Sequence, residues 1–371
     1  MKVLIATPYY YPQTGGLENY ARHLADGLKQ VGHEVVVVCG DKTVTRPSAA
    51  QLDGYTVHRL PIWKVVSNTP IHGAWPGWVK RIIRAEQPDV INVHAPVVYM
   101  VDVIVRSAGH IPTVITWHAA TLSKPASPVI TAITSTYGFV QAQTFKKARR
   151  IIAVSPYVKA CLPAKLQAKT TVVPNAVPAV APGRTKPGTG YVFIANLEPT
   201  HAWKGLGEII EAWHVLKQTG RPVPPLRVIG DGASRQQYEA LVAAYHLENS
   251  VTFYGLLRGT DRDAVASQAA GLLLYPTTPN DAFPTVLLEA WSLGLGVIGS
   301  AIGPIPSLVE SGVTGLVVPA ADPAELANTI AGTTPAQLQT MGEAGRQLTA
   351  REYTWDTQVK RTLAVFTELL K

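Results

Sequence analysis

Short runs of aliphatic and β-branched residues recur along this chain, each followed by a turn and then by a segment with helical apolar spacing. The first cycle runs Lys2 to Thr7, the loop Pro12-Gln13-Thr14-Gly15-Gly16, the amphipathic stretch Leu17 to Val31, the turn Gly32-His33, and Glu34 to Cys39. Runs that are apolar on both faces predict strands of a parallel sheet covered by helices on each side. Their order predicts a βαβ unit. Asp89 to His94 and Pro112 to His118 repeat the pattern, each ending on a histidine, and the carboxyl ends of parallel strands are where ligands bind. Arg150 to Val154 is a further strand, followed by Ser155-Pro156, an N-cap with proline at the first helical position.

The stretch Ala176 to Gly190 is rich in proline and glycine and reads as an interdomain linker. After it the alternation restarts. Strands are expected at Tyr191 to Ala195, Leu226 to Gly230, Val251 to Tyr254, Gly271 to Tyr275, Gly296 to Ser300 and Thr314 to Val318, with helices at Gly205 to Gln218, Ser234 to His246 and Thr285 to Leu293. A chain of 371 residues is too long for one ordinary core and suits two domains of roughly 180 residues each. The expected class is α/β with two Rossmann-like domains facing each other across a cleft: residues 1–180, then 181–353. The amphipathic tail at about 354–371 has no strand after it and is expected to pack back on the first domain.

Apolar residues make up 47% of the chain and charged residues 16%, which excludes a disordered polymer. Cys39 and Cys161 are the two cysteines; they share no metal-ligand spacing and fit a reducing, cytoplasmic setting. The apolar run after Met1 is too short for a signal sequence, and no stretch reaches the roughly 18 to 20 apolar residues of a spanning helix. The net charge of +8 points to an anionic partner, such as phosphates on nucleotides, anionic lipid or acidic glycans. Nucleic-acid binding has only that charge in its favour and is not expected.

Ala282-Phe283-Pro284-Thr285-Val286-Leu287-Leu288-Glu289-Ala290, followed by Gly294 and Gly296-Val297-Ile298-Gly299-Ser300, resembles the donor-binding core of the retaining glycosyltransferases of family four (group 1), which have the GT-B fold. The resemblance takes in Gly15-Gly16, Val154-Ser155, Pro174-Asn175, Lys204-Gly205, Gly230-Asp231-Gly232 and Gly312 to Val318, in order, over nearly the whole chain. It implies a nucleotide-diphosphate sugar donor, transfer with retention, no divalent metal and no resident cofactor. It places Gly15, Gly16, Asn196, Lys204, Asp281, Phe283, Pro284, Thr285, Val286 and Glu289 around the donor, and assigns catalytic roles to His118, Lys204 and Asp281.

Physical chemistry gives these residues matching tasks. A helix starting near Thr285 offers unpaired amides and the positive end of its dipole to a diphosphate, and Pro284 suits that start. Glu289, one turn further, has the acceptor oxygens that two vicinal ribose hydroxyls require. Asp281 stands where the family has a glutamate for the transferred sugar, and its reach is shorter by roughly 1.5 Å. Lys204 is a point charge for the donor phosphates. The family's arginine position holds Asn196, so one phosphate-binding cation is absent there, with His201 nearby as a substitute. Pro304 and Ser307 replace a glycine and a glutamate in the loop after Ser300, and a proline removes an amide donor. Each residue also has an ordinary reading: Glu289 as a solvated helix residue, Asp281 as a helix-entry cap, Lys204 as a surface lysine, and Gly15-Gly16 as a tight turn. His94 rivals His118, and either could be a strand-end histidine with its bonds satisfied.

The acceptor is expected to be a glycan or lipid-linked hydroxyl read by the first domain. There Ile62-Trp63-Lys64-Val65-Val66, Trp75 to Arg84 and Lys146-Lys147-Ala148-Arg149-Arg150 interleave tryptophan with basic residues. That pattern suits peripheral contact with an anionic membrane surface, and equally a helix with core tryptophans and a solvated basic face. Two rival functions share such a fold: a nucleotide-sugar epimerase and a non-catalytic nucleotide-sugar binding module. No metal-ligand cluster is evident in the sequence.

Overall fold

The computed structural model describes residues 1–13, 15–66, 69–97, 99–120, 128–178, 180–183 and 185–371. Thr14 of the glycine loop and positions 179 and 184 of the linker-like stretch lie outside the described residues. The chain divides into two compact units: Met1–Asn175 with Trp355–Lys371, and Ala176–Thr354. The first unit therefore ends at Asn175 rather than at residue 180. Residues 176–190 belong to the second unit because their backbone is bonded onto it: Val177 N donates to Tyr353 O at 2.9 Å, Ala181 N to Ser292 O at 3.0 Å and Thr189 N to Gln268 O at 2.8 Å.

In the first unit the elements are β1 (Lys2–Thr7), α1 (Gly16–Gln30), β2 (Glu34–Asp41), β3 (Ser48–Leu52), β4 (Tyr55–Pro61), β5 (Lys64–Val66), β6 (Thr69–Ile71), α2 (Trp75–Glu86), β7 (Val90–Ala95), α3 (Met100–Ser107), β8 (Thr113–Trp117), α4 (Pro128–Lys147), β9 (Arg150–Ala153), α5 (Pro156–Cys161), α6 (Ala164–Gln167) and β10 (Thr170–Val172). Eight strands form one sheet in the order β10-β9-β8-β7-β1-β2-β4-β3, parallel except for the edge strand β3. Strands β5 and β6 form a separate antiparallel pair. Tyr20, Ala21, Leu24, Ala25 and Leu28 recur at helical spacing along α1 and are buried; they cover the sheet face on which Val3, Ile5, Val35 and Val37 lie, the alternate residues of β1 and β2. The last helix of the chain, Trp355–Leu369, belongs to this unit and adds Val359, Val365 and Phe366 to the same core.

The second unit contains β11 (Tyr191–Ile194), the 3-10 turn Pro199–Lys204, α7 (Leu206–Gln218), β12 (Leu226–Ile229), α8 (Arg235–Ala244), β13 (Val251–Gly255), α9 (Gly259–Ala266), β14 (Gly271–Leu274), α10 (Thr285–Ser292), β15 (Gly296–Ser300), α11 (Ile305–Leu308), β16 (Leu316–Val318), α12 (Pro323–Gly332) and α13 (Pro335–Glu352); the chain's last helix is α14. Its six strands are parallel in the order β13-β12-β11-β14-β15-β16. Trp213 and Trp291 are fully buried on helices, and truncating a core tryptophan to alanine costs about 3–5 kcal/mol.

In each sheet the strand order reverses once within the parallel core: between β1 and β7 in the first unit, and between β11 and β14 in the second. Loops leaving the carboxyl ends of two such strands diverge to opposite faces and open a crevice, the usual ligand position in this architecture. Among the described residues no helix is long and apolar enough to cross a membrane.

Candidate active site

The second unit's crevice is built by the segment after β11 and the loop after β14. Lys204 ends the 3-10 turn Pro199–Lys204, which is tied to the other loop where Thr277 N donates to Trp203 O at 2.8 Å. Gly205 then adopts φ +83°, and a Cβ there would collide with the carbonyl oxygen of Tyr275; only glycine lets the chain turn into α7 so close to β14. The result brings two candidates together: Lys204 Nζ donates to Asp281 Oδ2 at 2.7 Å. The same ammonium lies over the Trp203 ring, 4.2 Å from its centroid. Both side chains keep about a fifth of their surface exposed, 23% for Lys204 and 20% for Asp281.

Asp281 is four positions before the start of α10. Phe283 and Pro284 are buried, with the Phe283 ring edge-on to Tyr353 at 6.1 Å, and this anchors the helix entry. Thr285 is exposed and Val286 half-buried. No side chain caps α10; Leu287 N donates to Pro284 O at 3.0 Å, and the amides of Thr285 and Val286 have no preceding helical carbonyl within reach. Glu289 does not join the Lys204–Asp281 pair. Its Oε2 accepts from Arg262 Nη1 at 2.8 Å, and Arg262 also donates to Asp263 Oδ1 from Nε and Nη2. Burial pushes the Glu289 carboxyl above the usual carboxylate range, against the pull of the Arg262 guanidinium. Arg262 was not among the expected residues; it lies in α9 within Asp261-Arg262-Asp263, a charge pattern common on any solvated helix.

Asn196 is exposed and its Oδ1 accepts from Glu198 N at 3.0 Å, closing an Asx turn. His201 lies in the 3-10 turn, with Thr200 Oγ1 3.3 Å from its Nδ1. In the loop after β15, Ser307 Oγ donates to Pro304 O at 2.7 Å.

In the first unit Gly15 and Gly16 lead from β1 into α1. Gly15 is extended, at φ −164°, which any residue can adopt. A Cβ on Gly15 would meet only the tip of the Glu18 side chain, and one on Gly16 would meet no other atom nearby. A tight turn therefore does not account for the pair. His94 lies within β7, not at its end, and His118 is the first residue beyond β8. The two meet: His94 Nδ1 is 3.0 Å from His118 Nε2, with the rings stacked at 5.3 Å. Tyr20 of α1 packs edge-on against both, at 4.8 Å from His118 and 5.5 Å from His94. Burial pushes His118 down to about 3, and burial with the neighbouring His118 pushes His94 well below its ordinary value. Both rings are neutral near pH 7.

The basic and aromatic segments divide. Trp75 is buried and donates Nε1–H to Pro61 O at 2.9 Å, while Lys80, Arg81 and Arg84 are exposed on the same helix. Trp63, just before β5, is 78% exposed. Cys39 is buried, Cys161 exposed, and both are free thiols.

Comparison with known proteins agrees with this architecture. The family model for Glycosyltransferase Family 4 matches residues 14–179, and that for glycosyl transferases group 1 matches residues 184–347. The gpi3 subunit of phosphatidylinositol N-acetylglucosaminyltransferase from Schizosaccharomyces pombe is 25% identical, the alignment covering 98% of this chain and 79% of the relative. A phosphatidyl-myo-inositol mannosyltransferase of Mycolicibacterium smegmatis is 24% identical over 90% of this chain and 84% of its own. Among solved structures, Anabaena HepE in complex with UDP superposes with a TM-score of 0.75 at 18% identity, over 99% of this chain and 100% of HepE. Sucrose-phosphate synthase of Thermosynechococcus elongatus gives 0.74 at 20% identity, over 99% and 98%. The chain belongs to the family-four, group 1 glycosyltransferases and has their GT-B fold.

Proposed function

We propose that this chain is a retaining, metal-independent glycosyltransferase that moves a hexose-type sugar from a nucleotide-diphosphate sugar to a hydroxyl of a glycan or lipid-linked acceptor. The observation that carries this reading is the Lys204–Asp281 pair in the crevice between the β11 and β14 loops. In the free protein the two charges neutralise one another. A donor offers a diphosphate to the ammonium and sugar hydroxyls to the carboxylate, so each charge exchanges one partner for another and neither is left bare. The amides of Thr285 and Val286 and the α10 dipole add to the diphosphate side without a metal, and Asn196 supplies a neutral amide donor where the family has a cation. Glu289 keeps Oε1 for the ribose while Arg262 holds Oε2. His118 in the first unit is a hydrogen-bonding group for the transferred sugar.

In the reaction, the bond from the anomeric carbon to the diphosphate oxygen breaks as the acceptor oxygen bonds to the same face of that carbon. The departing phosphate oxygen takes the acceptor's proton. Catalysis is then positioning and leaving-group stabilisation. The UDP bound by HepE supports a nucleoside diphosphate donor. The names of the two phosphatidylinositol-directed transferases support a lipid-linked acceptor, and the exposure of Trp63 and of Lys80, Arg81 and Arg84 on α2 supports a peripheral position on the cytoplasmic face of a membrane.

A screen of labelled nucleotide sugars for binding, followed by acceptor transfer with Lys204→Ala and Glu289→Ala, tests the reading. Both variants are expected to lose donor affinity and turnover; full retention in both would remove the pocket. Isomerisation of the donor without transfer would identify an epimerase, and binding with neither transfer nor hydrolysis a binding module.

A further inference from the structure

The His94–His118 contact has a direction that the chemistry of the two rings decides. One hydrogen bond joins His94 Nδ1 to His118 Nε2, and both rings are neutral, so one nitrogen donates and the other accepts. If His118 donated from Nε2, the proton on His94 would sit on Nε2. That nitrogen is fully buried and has no hydrogen-bond partner among the described residues, and His94 has no exposed surface at all. A buried N–H without an acceptor is the rarer of the two orphans in folded proteins. The opposite arrangement leaves His94 Nε2 bare and places its single proton in the bond.

We propose that His94 is a positioning residue that donates its Nδ1 proton to His118 Nε2 and thereby fixes His118 as the tautomer protonated at Nδ1. With Nε2 occupied, Nδ1–H is the free polar edge of His118, and its part-exposed ring offers a ligand a hydrogen-bond donor and no acceptor. This rests on the reading of His118 as a sugar-binding group. It means that the ring recognises an oxygen lone pair on the transferred sugar and does not serve as the base that deprotonates the acceptor. Tyr20, edge-on to both rings, holds the stacked geometry in which the bond forms.

The whole chain labelled with nitrogen-15 histidine gives the test, since one-bond and long-range proton–nitrogen spectra at neutral pH report which nitrogen is protonated. Signals are assigned by their loss in His94→Gln and His118→Gln. The expected wild-type result is His118 protonated at Nδ1; His118 protonated at Nε2 overturns the proposal without reference to activity or to any variant's folding. The asparagine Nδ2 in His94→Asn occupies the place of histidine Nδ1 and still donates, so this variant is expected to keep the tautomer and to hold kcat within about threefold. His94→Asp can only accept, which reverses the bond, and His94→Leu removes it; each is expected to lower kcat at least about tenfold with little change in donor KM. Wild-type turnover in His94→Asp would overturn the positioning role. Wild-type turnover in His118→Gln would instead overturn the assignment of His118 to the sugar, and the catalytic half of the proposal with it, while the tautomer is read from its own spectrum.

Discussion

Lys204 Nζ and Asp281 Oδ2 lie 2.7 Å apart although 77 positions separate them in sequence, and this juxtaposition sets opposite expectations for two substitutions. Asp281→Asn frees the ammonium, so affinity for the nucleoside diphosphate alone is expected to hold or rise, while turnover of the sugar donor falls roughly 10²–10³-fold. Lys204→Ala is expected to weaken both. Calorimetry with the diphosphate alone, beside transfer assays, separates them; equal loss of diphosphate affinity in the two variants would place the phosphate elsewhere.

Glu289 sits under two opposed influences, burial raising its carboxyl pKa and Arg262 lowering it. A carboxylate that binds ribose hydroxyls loses its grip as pH falls through its raised pKa. Removing Arg262 takes away the lowering partner, so Arg262→Gln is expected to lose nucleotide affinity at a higher pH than wild type. Affinity measured from pH 8 downward checks the order of the two profiles, and superimposable curves would show that the ion pair does not govern the carboxylate.

Burial gives the first unit an acid sensitivity of known sign. His118 is pushed down to about 3 in the folded chain, against roughly 6.5 unfolded. Between those values the unfolded state takes up a proton that the folded state refuses, so stability is intact above about pH 6.5 and declines as pH falls toward 3. For His118 alone the loss is roughly 2 kcal/mol at pH 5. Urea unfolding across this range should show a slope shallower by about one proton in His118→Gln; an unchanged slope would mean that the ring is protonated in the fold.

Two glycines are expected to respond in opposite ways to the same added methyl group. Gly205→Ala forces a side chain into φ +83° and against the Tyr275 carbonyl, which should destabilise the second unit by about 1–3 kcal/mol or more. At Gly16 the added carbon meets nothing, so Gly16→Ala should leave stability within about 0.5 kcal/mol yet reduce turnover, if a ligand approaches that backbone. Thermal melts and transfer rates on the two variants decide the matter.

Peripheral membrane contact is expected to depend on Trp63 and on the exposed Lys80, Arg81 and Arg84 of α2. Each basic residue near an anionic surface contributes about 1 kcal/mol. Sedimentation with vesicles containing phosphatidylserine at low salt should therefore fall stepwise with Trp63→Ala and with Arg81→Glu, and vanish at high salt. Binding that is indifferent to both substitutions would put the contact on another surface.

The parallel core was legible because its strands are buried on both faces, and a run such as Val35-Val36-Val37-Val38 admits few other environments. Strands β3, β4, β5, β6 and β10 are not anticipated: Ser48 to Leu52 is almost wholly exposed, so no apolar period marks β3, and the parallel strands β4 and β10 are only partly buried along their length. Helices α12 and α13 were also passed over, although Asp322 caps one and Thr334 and Gln337 form a capping box on the other, a local signal available in the sequence. The linker reading of Ala176 to Gly190 failed in part because proline and glycine report local conformation and say nothing of the backbone bonds to Tyr353, Ser292 and Gln268. Among the site residues, the glycine, lysine and acidic positions stand out through their resemblance to the family's motifs, not through spacing alone. Arg262 and the pairing of His94 with His118 depend on which elements become neighbours, and spacing along one element carries no trace of that.

The return of α14 to the first unit has a consequence for how the chain is made. Val177 and Thr354 are bridged, so the second unit is an insertion whose two ends lie side by side, and it can close on itself as soon as its own residues exist. The first unit cannot. Val359 and Phe366, which seal the face beside α1, are synthesised after the whole of the second unit, so a chain cut at residue 354 holds every residue of the second unit and an older, still open first one. A stop codon near that point would leave the apolar residues of α1 that meet Val359 and Phe366 uncovered in a released chain that chaperones, not the fold, must shield.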